Sequence, residues 1–223
     1  MCESPATSRE HAPPRCVFPE LSDFGADERR NLITVPSCDR HNSEKKKDDE
    51  FFRTALTMMS GPHNKAAEHI FFRKVLKAQL AAPATYRRFF RDSQLLTDGQ
   101  PAMRLNRARF DECVDHLTRA IYFHTYGTKW NHVAIVASPS FNEVDASGRA
   151  AIPENTIAAS VLTRQFLAGR PIKGDNPNVF EYCIRVENEF LGLAIRFYQS
   201  VEIYVASSAI LALEWHAARS PGS

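Results

Sequence analysis

Apolar and polar residues alternate through the last third of the chain, from residue 180 to residue 205. A period of two is typical of β-strands, because successive side chains point to opposite faces of a sheet. The alternation is interrupted around residues 187–189 and 199–200, and gaps of this length fit hairpin turns. The pattern therefore predicts a three-stranded antiparallel meander. Its expected buried or half-buried positions include Tyr182, Ile184, Leu193, Ile195 and Ile203.

The central part of the chain has the 3.6-residue period of amphipathic helices. One helix is predicted over residues 63–81 and another over residues 109–126, with Gly127 in the position that ends the second helix. The inward-facing positions are expected to be Ala67, Ile70, Phe71, Val75 and Ala78 in the first helix, and Phe110, Cys113, Val114, Leu117 and Ile121 in the second.

The first sixty residues predict a strand, a second strand and a helix. The first strand is expected within residues 6–20, and the second is the β-branched, apolar run at residues 32–35. Phe51, Phe52, Ala55, Leu56 and Met59 then form the stripe of an amphipathic helix. A glycine and a proline directly after this stripe end the helix.

Together these patterns predict an α+β fold with an N-terminal ββα unit, central helices and a C-terminal antiparallel meander. The expected division lies between residues 1–60 and residues 61–223, with the two parts packed together. A chain of 223 residues is long enough to bury a core. Residues 169–178, just before the meander, are rich in loop-forming residues, and the sequence leaves open whether they form a substrate-side loop or a connection.

Composition limits the partners more than it changes the fold. The net charge is only +2, so any binding of nucleic acid has to come from local basic patches. No apolar stretch approaches the length of about 18 residues that a membrane span needs, so we expect no membrane partner and a cytoplasmic location. The 5 cysteines are odd in number and widely spaced, which favours metal ligation or burial over a disulfide framework.

Three clusters of basic residues are candidates for phosphate binding. The first, residues 45–47, is followed at once by three acidic residues that cancel its charge at long range. The second lies at residues 87–91 and the third at residues 104–109. A run of charges is otherwise simply a solvated face. The residues expected to contact nucleic acid are Lys45, Lys46, Arg87, Arg88 and Arg107.

The chemically demanding side chains are concentrated near the N-terminus. The oxygens of Glu10 and Asn42 are of the type that a hard divalent cation such as Mg²⁺ prefers. His11, next to the carboxylate, is a candidate to take a proton from water near neutral pH. Adjacent residues of a strand point to opposite faces, so Glu10 and His11 need a bend or bulge to converge on one phosphate.

These residues resemble the HNH nucleases with their ββα-metal fold, and especially a bacterial branch of that family. The branch reads roughly C-x2-C, then R-E-H-x-P-P, then N-L-I-T-V-P-x-C-x2-C-N. Here the second motif occupies residues 9–14, and the third begins at residue 31 and ends at residue 42. The resemblance covers residues 2–59, and the ordered set of motifs is more specific than any single piece.

The resemblance implies a role for each matching residue. Glu10 would be a ligand of the catalytic metal, Mg²⁺ or Mn²⁺, and Asn42 would be the second ligand. His11 would be the general base, and Asn31 would brace the loop that carries it. Lys45 would face the phosphate.

The same family holds a structural zinc ion between two Cys-x2-Cys knuckles. The second knuckle has a cysteine at Cys38 and a histidine at His41, which is acceptable because imidazole replaces thiolate readily. In the first knuckle only Cys2 matches, and its partner would fall before Met1. A start codon placed too late, a truncated gene and a zinc site with three matching ligands all stay open. Cys16 is a candidate fourth ligand. The alternative is that Cys16 is simply a small buried side chain.

The leading hypothesis is a metal-dependent endonuclease that hydrolyses phosphodiester bonds of nucleic acid, with DNA the expected substrate. A catalytically degenerate HNH-like module that binds nucleic acid or protein is the alternative, motivated by the incomplete first knuckle. A third interpretation is a helix-rich interaction protein in which the order of the motifs is accidental. The sequence leaves open the choice between DNA and RNA, and among restriction, mobile-element and defence roles.

Overall fold

A computed structural model of the protein describes residues 5–38, 45–81, 83, 94–97, 101–102, 105–144 and 147–208. Short 3-10 turns lie at Arg15–Val17 and Gly61–His63, and a π-helical turn lies at Phe71–Leu76. In chain order the other elements are β1 (Ser8–His11), α1 (Leu21–Phe24), β2 (Thr34–Ser37), α2 (Lys46–Ser60), α3 (Lys65–Ile70), α4 (Lys77–Ala81), β3 (Gln94–Leu95), β4 (Pro101–Ala102), α5 (Arg107–Tyr126), β5 (Ala134–Ala137), β6 (Glu143–Val144), β7 (Ala150–Ala151), α6 (Glu154–Phe166), β8 (Lys173–Asn176), β9 (Phe180–Glu187), β10 (Phe190–Phe197) and β11 (Val201–Ser207).

The predicted C-terminal meander is confirmed as β9, β10 and β11, which pair antiparallel in sequence order. The turns between them place two consecutive residues at positive φ, Asn188 with Glu189 and Tyr198 with Gln199. That backbone conformation is typical of tight hairpins. All five positions expected on the inner side are buried, at 0 to 6% exposure: Tyr182, Ile184, Leu193, Ile195 and Ile203.

Two further strands extend the meander to a five-stranded sheet with the order β5-β11-β10-β9-β8. β8 lies within the segment that the sequence pattern reads as loop-rich. It is an edge strand of sequence KGDN, and its register against β9 is irregular. All but the glycine are polar, so the sequence lacks the apolar–polar alternation that predicts a strand. Gly174 lies there at φ 129, and a Cβ at this position would come within 2.7 Å of the Phe180 carbonyl oxygen.

The helix predicted over residues 109–126 is confirmed as α5 and begins two residues earlier. The Asn106 side chain accepts a hydrogen bond from the Arg109 amide at 3.0 Å and so caps the first turn. Gly127, at φ 75, ends the helix. Helix α6 is not predicted from the sequence. It packs on the sheet but leaves Ile157 and Leu162 exposed, so its apolar residues do not form a clear stripe.

The helix predicted over residues 63–81 forms in three parts, α3, the π-helical turn and α4. Asn64 caps it, since its side-chain oxygen accepts from the amides of Ala66 and Ala67 at 2.9 and 3.1 Å. Ala67, Ile70 and Val75 are buried as expected. In the part of the chain that the structure describes, no helix combines the length and apolarity needed to cross a membrane.

The predicted ββα unit is present as β1, β2 and α2. The second strand, however, lies at Thr34–Ser37 and not at residues 32–35. Asn31 adopts a positive φ of 46, so Leu32 and Ile33 belong to a loop and only pack partly against the core. Pro36 fits this strand because β2 belongs to a two-stranded ribbon, where an edge strand tolerates a residue without an N–H.

The buried core is continuous from the ββα unit into the rest of the chain. Phe52 of α2 lies 5.4 Å from the ring of Phe110 in α5 and 5.7 Å from the ring of Phe197 in β10, measured between centroids. Aromatic contacts of this kind add specific geometry to the burial of apolar surface. The two parts of the chain therefore share one core.

Polar contacts fix the loop between β1 and β2 against the sheet. Tyr198 is fully buried, and its hydroxyl donates a hydrogen bond to the Val17 carbonyl oxygen at 2.8 Å. The Asn178 amide donates to the buried carboxylate of Glu28 at 2.9 Å. The Asn176 amide donates to the carbonyl oxygen of the neighbouring residue 30 at 2.8 Å. The sheet thus holds residues 17–30 in place.

Tyr198→Phe should lower the free energy of unfolding by about 1–3 kcal/mol, because it leaves the buried Val17 carbonyl oxygen without its donor. Urea unfolding of the purified chain measures the change. Tyr126→Phe is the matched control, since the Tyr126 side chain is 42% exposed. Equal stability of the two variants would contradict the importance of this bond.

Candidate active site

The register of the β1–β2 ribbon decides which side chains share a face. Glu10 pairs with Val35 and His11 pairs with Thr34, without a register shift. Glu10 therefore leaves the ribbon on the face of Ser37, and His11 on the opposite face. The bend or bulge expected at Glu10 and His11 is absent from the ribbon, and the chain bends only at Ala12 and Pro13, so the expected convergence of the two side chains is not found.

A cluster of opposite charges lies on the Glu10 face of the ribbon. The Lys45 ammonium lies 3.5 Å from Glu10 Oε1 and 4.0 Å from Asp49 Oδ1. Ser37 donates a hydrogen bond to Glu10 Oε2 at 3.3 Å. All of these side chains are largely shielded, with 19% of Glu10, 20% of Lys45 and 30% of Asp49 exposed. The structure therefore brings two carboxylates to one cation.

The start of α2 puts Lys45 and Asp49 on the same side. The Lys45 carbonyl oxygen accepts from the amides of Asp48 and Asp49, each at 2.9 Å, and so forms the first turn of the helix. Residues four apart on a helix face the same way. The two side chains consequently point together toward β1.

Burial raises the pKa of the Asp49 carboxyl to about 6, and the negative charge of Glu10 adds to this effect. The Lys45 ammonium acts in the opposite direction. Two carboxylates beside one ammonium leave one negative charge without a partner. A proton or a metal ion can neutralise that charge.

His11 lies half-buried on the other face of the ribbon. Burial lowers its pKa, and the positive charges of Arg15, Arg29 and Lys45 lower it further. The imidazole is therefore neutral at neutral pH and keeps a free lone pair. A neutral imidazole is the form that can accept a proton from water.

The remaining predicted catalytic and nucleic-acid residues are dispersed. The Asn31 amide donates to Asp175 Oδ2 at 2.7 Å, on the edge strand β8. Its role as a brace for His11 stays a prediction. Lys46 is exposed. Arg107 bonds Asp111 at 2.6 Å and the Val136 carbonyl oxygen at 2.7 Å, so its guanidinium is engaged within the fold. The predicted residues outside the described part of the chain are Cys2, His41, Asn42, Arg87 and Arg88.

Of the predicted zinc ligands, only Cys38 lies in the described part of the chain, and it is buried. Cys16, the candidate substitute, donates its thiol hydrogen to the Asp49 carbonyl oxygen at 3.4 Å. Burial raises the pKa of the Cys16 thiol to about 11, so it is a protonated thiol in this arrangement. Among the residues described, no three histidine, cysteine or acidic side chains are grouped to hold a metal.

Sequence reasoning missed Asp49 and Ser37. The run of three lysines followed by three acids reads as a solvated face, and that interpretation hid the pair at positions 45 and 49. Their spacing of four, just before a buried aromatic pair, was the available signal. Ser37 follows the apolar run, and only the shifted position of β2 places it beside Glu10.

The Asp49 carboxyl predicts a dependence of stability on pH. Its pKa in the folded chain is about 6, against 3.8 for an ordinary aspartate, so the folded state keeps a proton that the unfolded state has lost. The free energy of unfolding should therefore fall as the pH rises from about 4 to about 6. Asp49→Asn should lack this part of the fall.

Urea unfolding at a series of pH values, with EDTA present, measures the difference between wild type and Asp49→Asn. The variant should gain stability relative to wild type across this pH range. Glu68→Gln is a control, since Glu68 is exposed on α3. A difference between wild type and Asp49→Asn that does not change with pH would contradict the raised pKa.

Cys38→Ser tests the predicted structural zinc. If zinc is bound, the variant should lose it and unfold at markedly lower urea concentration, since such an ion supplies much of the folding energy of a small unit. Elemental analysis and urea unfolding measure the two effects. Cys113→Ser is the control, because Cys113 lies half-buried on α5 outside the motif. Zinc-free wild-type protein with a folded N-terminal unit would contradict the prediction.

Comparison with known proteins adds no relative. The chain matches no protein-family model, and no curated protein or solved structure is significantly similar to it. A functional proposal therefore has to rest on the residues of this chain and on their arrangement.

Proposed function

We propose that the protein is a metal-dependent endonuclease of the HNH type that hydrolyses phosphodiester bonds of nucleic acid, with DNA as the expected substrate. The observation that carries the proposal is the cluster of Glu10, Lys45 and Asp49 at the junction of β1, β2 and α2. His11 ends β1 on the opposite face from Glu10, so a bound phosphate would have to span the end of that strand to contact both. These positions match the order of the family motif at Glu10, His11 and Lys45.

In the proposed reaction, His11 acts as the base. A neutral ring nitrogen takes a proton from a water molecule whose oxygen forms a bond to phosphorus, while the bond from phosphorus to the leaving sugar oxygen breaks. The positive charges around His11 oppose its protonation and so keep the lone pair free at neutral pH. Lys45 supplies an ammonium that can face a phosphate oxygen.

The donor set fits a hard divalent cation. Glu10 and Asp49 present carboxylate oxygens to one cation position, the type of ligand that Mg²⁺ and Mn²⁺ prefer. Glu10 would hold the metal, together with Asn42 as the resemblance implies, and Asp49 would add a third oxygen donor. When bound, such a metal stabilises negative charge on the oxygens of the phosphate.

A structural zinc ion on Cys2, Cys38 and His41 belongs to the same proposal. We also propose the cytoplasm as the place of action. Cys16, Cys113 and Cys183 are free thiols, which suits a reducing compartment.

One observation favours the second candidate function, a degenerate module that binds nucleic acid or protein. The Lys45 ammonium lies 3.5 Å from Glu10 Oε1, an oxygen that would otherwise be available to a metal ion. An ion pair that replaced the metal permanently would remove catalysis and leave the fold intact. Activity measurements separate the two candidates.

His11→Ala should lower the rate of cleavage by about 10² to 10⁴, because it removes the base without removing the carboxylates. Nicking of supercoiled plasmid across a titration of Mg²⁺ and of Mn²⁺ measures the rate. His124→Ala is the matched control, since His124 is exposed on α5. Binding of the metal to His11→Ala should equal that of the wild type.

Loss of cleavage in both histidine variants would contradict the specific role of His11. A wild-type chain that cleaves none of double-stranded DNA, single-stranded DNA and RNA with either metal would overturn the enzyme and leave the binding module. Cleavage that persists in EDTA would contradict the dependence on metal.

A further inference from the structure

A second cationic region lies beside the candidate active site and is not part of it. It is a cleft of about 490 Å³ between the 3-10 turn at Arg15–Val17, α1, α2 and the helix that begins with α3. Four basic side chains line it against two acidic ones: Arg15, Arg29, Arg53 and Lys74, with Glu20 and Asp23. None of the four belongs to the basic clusters that stand out in the sequence.

The acidic groups neutralise only part of this charge. Glu20 lies 3.2 Å from the Lys74 ammonium and 3.6 Å from the Arg29 guanidinium, so these two cations share one carboxylate. Arg29 is further held by a 2.9 Å hydrogen bond to the Phe18 carbonyl oxygen. The wall with Glu20 is therefore close to balanced in charge.

Arg53, from the middle of α2, is different. Its Nε is buried in the wall of the cleft and meets no hydrogen-bond acceptor, and no carboxylate pairs with its guanidinium within the described segments. Burying part of a charged guanidinium without a partner is costly, and an anion in the cleft would offset that cost by neutralising the charge. Arg15 is likewise without a hydrogen-bonded acid in those segments, and it is exposed at the rim.

The cleft also lies next to His11. Arg15 opens the 3-10 turn that follows β1, four residues after His11. An anion seated between Arg15 and Arg53 would therefore lie within a short distance of the proposed base.

We propose that this cleft binds the sugar-phosphate backbone of the nucleic acid next to the phosphate that is cleaved, with Arg53 and Arg15 as the residues that contact it. The proposal rests on the proposed function for the identity of the anion. Binding through these arginines is electrostatic, so it is independent of base sequence and depends strongly on salt.

The test is binding in the absence of cleavage. Fluorescence anisotropy of a labelled duplex of about 20 base pairs, in EDTA and from about 50 to about 200 mM salt, gives the affinity and its salt dependence. Arg53→Gln and Arg15→Gln should each weaken binding and reduce the slope of log affinity against log salt by about 1. The double variant should reduce the slope by about 2.

Two variants serve as controls. Arg170→Gln removes the same charge from an exposed position outside the cleft and should leave the affinity and the slope unchanged. Arg53→Lys keeps the charge and should retain most of the binding. Urea unfolding of Arg53→Gln should show no loss of stability, whereas a purely structural role for Arg53 would lower stability and leave the salt slope as it is.

Wild-type affinity and slope in Arg53→Gln and Arg15→Gln would overturn the proposal, as would a wild-type chain that does not bind the duplex. Adding nucleoside monophosphate or inorganic phosphate as a competitor separates a backbone site from a small-anion site. Arginine variants that bind the duplex as tightly as the wild type, but on which the small anion no longer competes, would also overturn the proposal. If the arginines are needed for duplex binding but the chain shows no metal-dependent cleavage, the proposal for the cleft stands and only the proposed endonuclease activity is rejected.

Discussion

The candidate site depends on the contact between the β10–β11 turn and the 3-10 turn that follows β1. Tyr198 is buried in this contact, with its hydroxyl on the Val17 carbonyl oxygen at 2.8 Å and its amide on the Val179 carbonyl oxygen at 2.9 Å. A ββα unit of about 60 residues buries only a small core by itself and is marginally stable alone. The sheet supplies the missing core, and through Tyr198 it also fixes the chain segment that leaves His11.

Alternation along one short strand divides the site electrostatically. Glu10 meets Lys45 and Asp49 on one face of the β1–β2 ribbon, where burial and like charge favour bound positive charge. His11 faces the other side, where burial lowers its pKa and the positive charges of Arg15, Arg29 and Lys45 lower it further. The adjacent residues Glu10 and His11 thus favour opposite behaviour, a carboxylate that attracts cations and a base that stays neutral, because a strand points their side chains to opposite faces.

The regular periods of the sequence predicted most of the fold. The meander and α5 have uninterrupted apolar patterns, whereas β8 is a short polar edge and α6 exposes part of its apolar face, so neither has a clear period. The motif located Glu10, His11 and Lys45. Asp49 and Arg53 were beyond it, because their importance comes from which elements pack against α2, and periodicity carries no information on that packing.

The ion pair between Lys45 and Glu10 links the two hypotheses about function. An ammonium at 3.5 Å neutralises the carboxylate and holds it in orientation, but it also competes with any divalent cation for the same oxygens. Metal binding to Glu10 would therefore displace the Lys45 ammonium. The ammonium would still lie at the junction of strand and helix, where it could donate a hydrogen bond to a phosphate oxygen. Asp49, with a pKa of about 6, adds a proton to this competition. The same three side chains consequently describe a resting catalytic site if metal displaces Lys45, and a binding module if it does not.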